Sequence, residues 1–181
     1  GRVHYETVDG TIGEQAFDFA MLLPPFSGVG LTAIDRQGVD ITERLFQPNG
    51  FMKGDADYTA KPYDAWRASD WPHTYQSPAY PTIFAAGIAF APPHAISRPY
   101  TSPSGAAIAP APPRTGMPSA IIGKTVARSI VDIIQGRSGP LHTASMARMG
   151  AACVASAGAN PFTGTAASMI VYPIVPDFER F

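Results

Sequence analysis

Eight of the chain's 19 prolines lie between residues 92 and 118. Proline fixes φ and carries no backbone N–H, so this stretch cannot run as a regular helix or an inner strand. It predicts a rigid, irregular segment in the middle of the chain. A loop that long inside a compact domain is functional or disordered as a rule, and the apolar and small residues around it weigh against plain disorder. Its last part reads PAPPRTGMPSAIIGK over Pro110–Lys124. Prolines are followed by a basic residue, Thr115, Gly116, one more proline and the start of an apolar repeat. Such stiffness fixes how the helix is entered and what its first turn faces.

The 181 residues suffice for one medium domain with a real core, and 45% of them are apolar against 15% charged. Net charge is −1. There is no basic stripe, which argues against nucleic acid as a main partner. The single cysteine, Cys153, excludes an internal disulfide and a Cys-rich zinc site, and a reduced, cytoplasmic compartment fits. The four histidines, His4, His73, His94 and His142, share no ligand spacing, so no metal site is expected. No apolar run reaches the roughly 18 residues of a membrane span.

RVHYETVDG (Arg2–Gly10) alternates and ends in Asp-Gly, which predicts a strand entering a turn. FDFAMLL (17–23) is a mostly apolar run stopped by Pro24-Pro25 and predicts a buried strand. Residues 28–50 predict a weak helical or turn region, and residues 51–80 a loop with short strands. TIFAAGIAF predicts a strand over 82–87 that breaks at Gly87. The spacing of Ile122, Val126, Ile130, Ile133 and Ile134 predicts a helix over 119–135 with one apolar face. Ser119 or Thr115 can cap it, Pro118 suits its first turn and Gly136 its end. Two further strands are predicted at 151–156 and 168–175, joined by the turn AGANPFTG. The fold class is α+β, or part of an α/β protein.

Gly28, Gly30 and Ala33 match the dinucleotide pattern G-x-G-x-x-A. The motif requires a tight strand-to-helix turn, whereas Pro24, Pro25 and Phe26 intervene and Gly38 interrupts the following segment. The match predicts a loop without a phosphate role. Tyr63, Trp66, Trp71 and Tyr75 are expected to pin a loop onto the domain, with stacking on a quinone or a partner as the alternative.

PTIFAAGIAFAPPH followed by PAPPRTGMPSAIIGKTVARSIVDIIQG resembles the C-terminal half of sulfide:quinone oxidoreductases, within the flavoprotein superfamily built on two dinucleotide-binding domains. FDFAMLLPPFSG is similar to that family's P-x-F-x-G segment, and YPIVPDF to a late strand before its membrane-associating tail. The resemblance implies that 1–50 ends the second dinucleotide-binding domain. Residues 51–136 then return to the FAD domain with the Pro-rich loop and a flavin-facing helix, and 137–181 form a C-terminal strand region. It implies FAD as cofactor, with Gly87, Ile88, Arg114, Thr115, Gly116 and Met117 beside it and Pro25 and Phe26 in the substrate pocket. Electrons would pass from sulfide or NADH to a quinone.

Two positions depart from the family pattern. Gly87 is followed by Ile88 where the family carries an acid that binds the ribityl–phosphate region, which leaves that job to backbone N–H groups. Ser145 in SMARMG occupies the position of a family cysteine, and a hydroxyl cannot form a persulfide. Cys153 lies eight residues later on a predicted buried strand, a setting that favours a core role over a nucleophile. The resemblance further implies that this is a piece of a longer flavoprotein. It predicts an N-terminal FAD domain as partner, peripheral membrane contact in the parent, and weak FAD binding by this chain alone. A homo-oligomer remains open, as does a non-catalytic binding or dimerisation module derived from the same fold.

Overall fold

The computed structural model describes residues 1–23, 25–157 and 162–179. Among the described residues are three two-stranded antiparallel sheets and one long helix, and the core is drawn mostly from loops, with residues of α2 and β5 joining it. The order is β1 (Arg2–Glu6), β2 (Ile12–Ala16), a single-turn α1 (Thr42–Leu45), β3 (Tyr100–Thr101), β4 (Ala107–Ile108), α2 (Gly116–Ile134), β5 (Ala151–Ala157) and β6 (Thr165–Val171). This is a small mixed α/β arrangement, and it does not show an FAD-binding fold.

The Asp-Gly turn closes the first hairpin as its sequence predicts, with Arg2 opposite Ala16 and Glu6 opposite Ile12. The hairpin is mostly exposed. It is tied to the β3–β4 turn by Tyr100 Oη donating to Val8 O at 2.8 Å and by Ser104 N–H donating to Glu6 Oε1 at 3.0 Å.

Segment 17–23 is not a strand. Hairpin pairing ends at Phe17, whose N–H donates to Gly1 O at 2.9 Å. Beyond it, no described strand lies alongside to take the backbone groups, and Phe19 and Leu22 stand 86% and 79% exposed. Segment 82–87 is not a strand either. Gln76 and Phe84 form one antiparallel bridge, and Met52 and Phe90 one parallel bridge. Gly87, at φ +61°, turns the chain between them, so pairing cannot propagate. The burial expected of an inner strand is still present, since Ala85, Phe90 and Ala91 are buried.

α2 begins three residues earlier than its apolar repeat predicts. Thr115 is its N-cap, and Pro118 sits in the first turn, where N–H groups have no intrahelical partner anyway. The end is a Schellman motif. Gly136, at φ +65°, donates to Ile133 O at 3.1 Å and Arg137 N–H to Asp132 O at 2.9 Å. The buried face is Pro118, Ile122, Thr125, Val126 and Ser129, whereas Ile130, Ile133 and Ile134 are exposed. The inward face is therefore rotated from the one the isoleucines define. Ser129 Oγ accepts His142 N–H at 3.0 Å, and this bond holds the hydroxyl inward.

β5 agrees with the expected strand. β6 covers 165–171 rather than 168–175, because Tyr172–Pro173 stops the ladder. Ile174 and Val175 leave the sheet and enter the core, with their N–H groups on Met149 O at 3.0 Å and Met146 O at 3.3 Å. Residues 158–161 of the connecting turn lie outside the described residues. The core joins Met52, Trp71, Tyr75, Ala85 and Phe90 to Ile122 and Val126 of α2 and to Met146, Met149, Ala151, Ile174 and Val175. Trp71 and Tyr75 thus fasten the 51–80 loop to the body, and neither has exposed surface. No helix among the described residues is long and apolar enough to cross a membrane.

Candidate functional site

The turn at Ala86–Ile88 and the first turn of α2 come together. A Cβ built on Gly87 would lie 3.7 Å from Ser119 O, an ordinary van der Waals contact. Arg114, just before the helix, donates from Nη1 to Ile88 O and lies 3.7 Å over the ring of Phe51. Burial pulls the guanidinium pKa below its usual value. Among the described residues no carboxylate pairs with it.

Thr115 has the backbone geometry of an N-cap but makes no side-chain capping bond. Its backbone O instead accepts Ser119 N–H at 3.2 Å and Ser119 Oγ–H at 2.7 Å. The Thr115 Oγ1 atom is buried, and among the described residues it has no hydrogen-bond partner. A buried orphan hydroxyl costs about 1–3 kcal/mol, so its persistence calls for a reason. Beyond its chain neighbours and its own helix backbone, no atom of the described residues lies within 4 Å of where a Cβ on Gly116 would sit, so the space before it is open. Met117 is half exposed on the same turn.

Arg114 lines a cleft of about 560 Å³ with Pro25, Phe26, Asn49, Phe51, His94 and the stiff wall Ala109–Pro112. Its walls are apolar, with three polar groups converging. The structure therefore brings Pro25, Phe26 and Arg114 into one cavity, with Ile88 joined to it through Arg114. Ser145 lies elsewhere. It caps the short turn Met146–Arg148, its Oγ accepting Ala147 N–H at 3.3 Å, and borders a second cleft of about 490 Å³ with His73, Arg148, Asp177 and Glu179. Cys153 is on β5 opposite Met169 and lines neither cleft. Its strand is not the buried one predicted, for Val154 is 73% exposed and the thiol residue half-buried.

Sequence reasoning did not place Asn49, Phe51 or His94 at the cleft. They arrive there through backbone bonds between Met52 and the 89–91 segment, Met52 N–H to Ala89 O at 3.0 Å and Ala91 N–H to Met52 O at 2.7 Å. One isolated bridge leaves no periodic trace in a sequence.

The N-terminus of α2 and the uncompensated guanidinium just before it both favour negative charge placed against them. The chain matches no family model, no curated protein and no solved structure.

Proposed function

We propose that this chain is the C-terminal part of an FAD-dependent oxidoreductase resembling the sulfide:quinone oxidoreductases, passing electrons from a reduced donor, sulfide or NADH, to a quinone. The observation that carries the reading is the Arg114 cleft, where an uncompensated guanidinium meets Pro25 and Phe26 immediately before the N-terminus of α2; Thr115, Gly116 and Met117 follow it in the chain and do not line the cleft. The quoted motif resemblance is its other support.

In this reading FAD, when bound, accepts the donor's electrons and hands them to the acceptor. This chain's own residues bind and orient. The N-terminus of α2 carries about half a positive charge, which favours negative charge placed against it. The N–H groups of Gly116 and Met117, on the exposed first turn, are the donors there. Backbone groups of Gly87 and Ile88 replace the missing family acid. Pro25, Phe26 and Phe51 keep water from the acceptor pocket, and Arg114 orients the polar end of what enters. The Ser145 hydroxyl cannot carry a persulfide, so a sulfide donor would need a thiol from another part of the parent protein, or Cys153. The flavoprotein fold is completed by an N-terminal FAD domain, and the parent works in the cytoplasm, peripheral to the membrane that holds its quinone.

The test is the visible spectrum of the intact parent protein, taken without oxygen before and after sulfide and then NADH. A flavin band that bleaches with either donor and returns with a quinone supports the reading. A parent with no flavin band refutes it.

A second reading, a non-catalytic binding or dimerisation module derived from the same fold, draws on the exposed apolar run of Phe19, Met21, Leu22, Leu23 and Phe26. Exposed apolar side chains gathered in one short stretch favour an interface. A flavin-free parent that sediments as a dimer would favour it.

A further inference from the structure

The chain's two tryptophans meet on one imidazole. Trp71 Nε1–H donates to His94 Nε2 at 2.6 Å. Trp66 stacks on the same ring, with centroids 4.0 Å apart and planes 25° from parallel. Trp71 and Tyr63 present edges to it at 4.9 and 6.3 Å. His94 Nδ1 lies 2.6 Å from Ala95 O.

These contacts assign both ring nitrogens. An indole N–H can only donate, so Nε2 carries a lone pair, and a carbonyl can only accept, so Nδ1 carries the proton. The imidazole is held neutral in one tautomer. A proton added at Nε2 would point at the indole N–H, and Trp71, with no exposed surface, has no water to turn to.

Burial is the largest influence holding the His94 pKa below its usual 6.5, opposed by the Ala95 carbonyl and by Asp70 and reinforced by Lys61. Lys61 Nζ sits 4.6 Å over the Trp66 ring and pairs with Asp57 at 2.8 Å and Asp70 at 3.0 Å. Arg67 borders a small cavity with His94 and pairs with Glu179 at 3.7 Å. Arg98 covers Tyr63 at 5.7 Å and pairs with Asp64. Arg114 faces His94 across the main cleft. Of the cations around the ring, Lys61 is itself neutralised by two carboxylates, whereas Arg114 has no carboxylate partner among the described residues.

Trp66 and Trp71 belong to the 63–71 segment, and His94 to the wall of the Arg114 cleft. We propose that His94 is a proton-operated latch: neutral, it ties the Trp71 indole N–H to the cleft wall, and protonated, it releases that indole while the wall stays joined to the 63–71 segment through Trp66. The charged ring keeps its stacking on Trp66, where a cation over an indole face is favourable. The two protonation states therefore prefer different tryptophans. Because the folded pKa is lowered, the latch contributes its stability above the unfolded value of 6.5 and loses it as pH falls from there toward the folded value. The device operates whether or not the chain serves a flavoprotein.

The test titrates the full chain from neutral to mildly acidic pH while following tryptophan emission, alongside His94→Gln, whose amide oxygen can still accept from Trp71 but does not titrate. The wild type should show a reversible red shift and loss of emission centred below pH 6.5, while the far-UV spectrum stays folded. The variant should lose that transition. A wild type without the transition, or a variant that keeps it, overturns the latch. Should the variant not fold, nitrogen-15 spectra of the wild type decide. The Trp71 indole N–H resonance must move with His94 ionisation, and an indole resonance indifferent to that proton overturns the proposal equally.

Discussion

Asp55 Oδ1 accepts the backbone N–H of Tyr75 at 2.7 Å, and Tyr75 holds a φ of +60°. A left-handed conformation costs a bulky L-residue about 1–2 kcal/mol. The Asp55 carboxylate offsets it by also accepting Thr74 N–H at 2.8 Å and His73 N–H at 3.3 Å. Three successive N–H groups turned toward one carboxylate form a tight bend, and the bend drops the Tyr75 ring into the core. Asp55→Ala should lower unfolding stability by about 3 kcal/mol, since each hydrogen bond to a charged acceptor contributes about 1.5–3 kcal/mol. Urea titration of both proteins at one pH measures this. A loss below the variation between preparations would mean that the bend holds without its carboxylate.

Tyr75 Oη donates to the backbone O of Ala144 at 3.0 Å, deep in the core. Tyr75→Phe keeps the ring and strands that carbonyl. A loss of about 1–2 kcal/mol is expected, the desolvation cost of a buried group left unpaired. The same urea midpoints read it, and an unchanged midpoint would show that the carbonyl finds water instead.

Two of the seven tyrosines should ionise late. Burial pushes Tyr58 up to about 12, and burial followed by the Asp55 charge raises Tyr75 further. Unfolded tyrosine releases its proton near 10, while these two retain theirs when folded. Their stability contribution is therefore complete below about pH 10 and is lost as pH rises above it. Phenolate absorbance during an alkaline titration should rise in two stages, with the second coinciding with unfolding. A single stage near 10 with the fold intact would contradict the burial of both rings.

Thr115→Val removes the orphan hydroxyl while keeping the side chain's shape. For this chain alone thermal stability should hold or rise slightly, because an unsatisfied polar atom is replaced by a methyl group. If, as proposed, an intact parent holds a flavin against this turn, its retention should fall by roughly tenfold where one hydrogen bond of about 1.4 kcal/mol is lost. Retained flavin with unchanged affinity would remove Thr115 from the cofactor site. A clear drop in stability of the isolated chain would show that the hydroxyl already has a partner within it.

The elements legible in the sequence were those whose partners are close in the chain. Asp9-Gly10 announced the first hairpin, and the Ile122–Val126 spacing with Gly136 announced α2. The apolar runs at 17–23 and 82–87 predict strands that the structure does not form, for a common reason: hydrophobicity reports a demand for burial and says nothing about whether a strand lies alongside. Ala85 and Phe90 found that burial through single bridges and a glycine turn, whereas Phe19 and Leu22 did not find it within the described residues. At the candidate site, Arg114 and Phe26 could be named from local motif resemblance. His94 and Phe51 could not, because only the long-range bridge at Met52 carries them to the cleft.

The core described above closes late. Trp71, Tyr75 and Phe90 are covered by residues as distant as Met146, Met149, Ile174 and Val175. During synthesis the aromatic half leaves the ribosome well before its cover exists. Those rings must then wait in water, in a chaperone's grasp or against a neighbouring polypeptide until Val175 emerges. Tight enclosure at the end of translation thus implies a vulnerable interval before it. Slowing the ribosome downstream of Phe90 should lengthen that interval and raise the fraction of chains that aggregate.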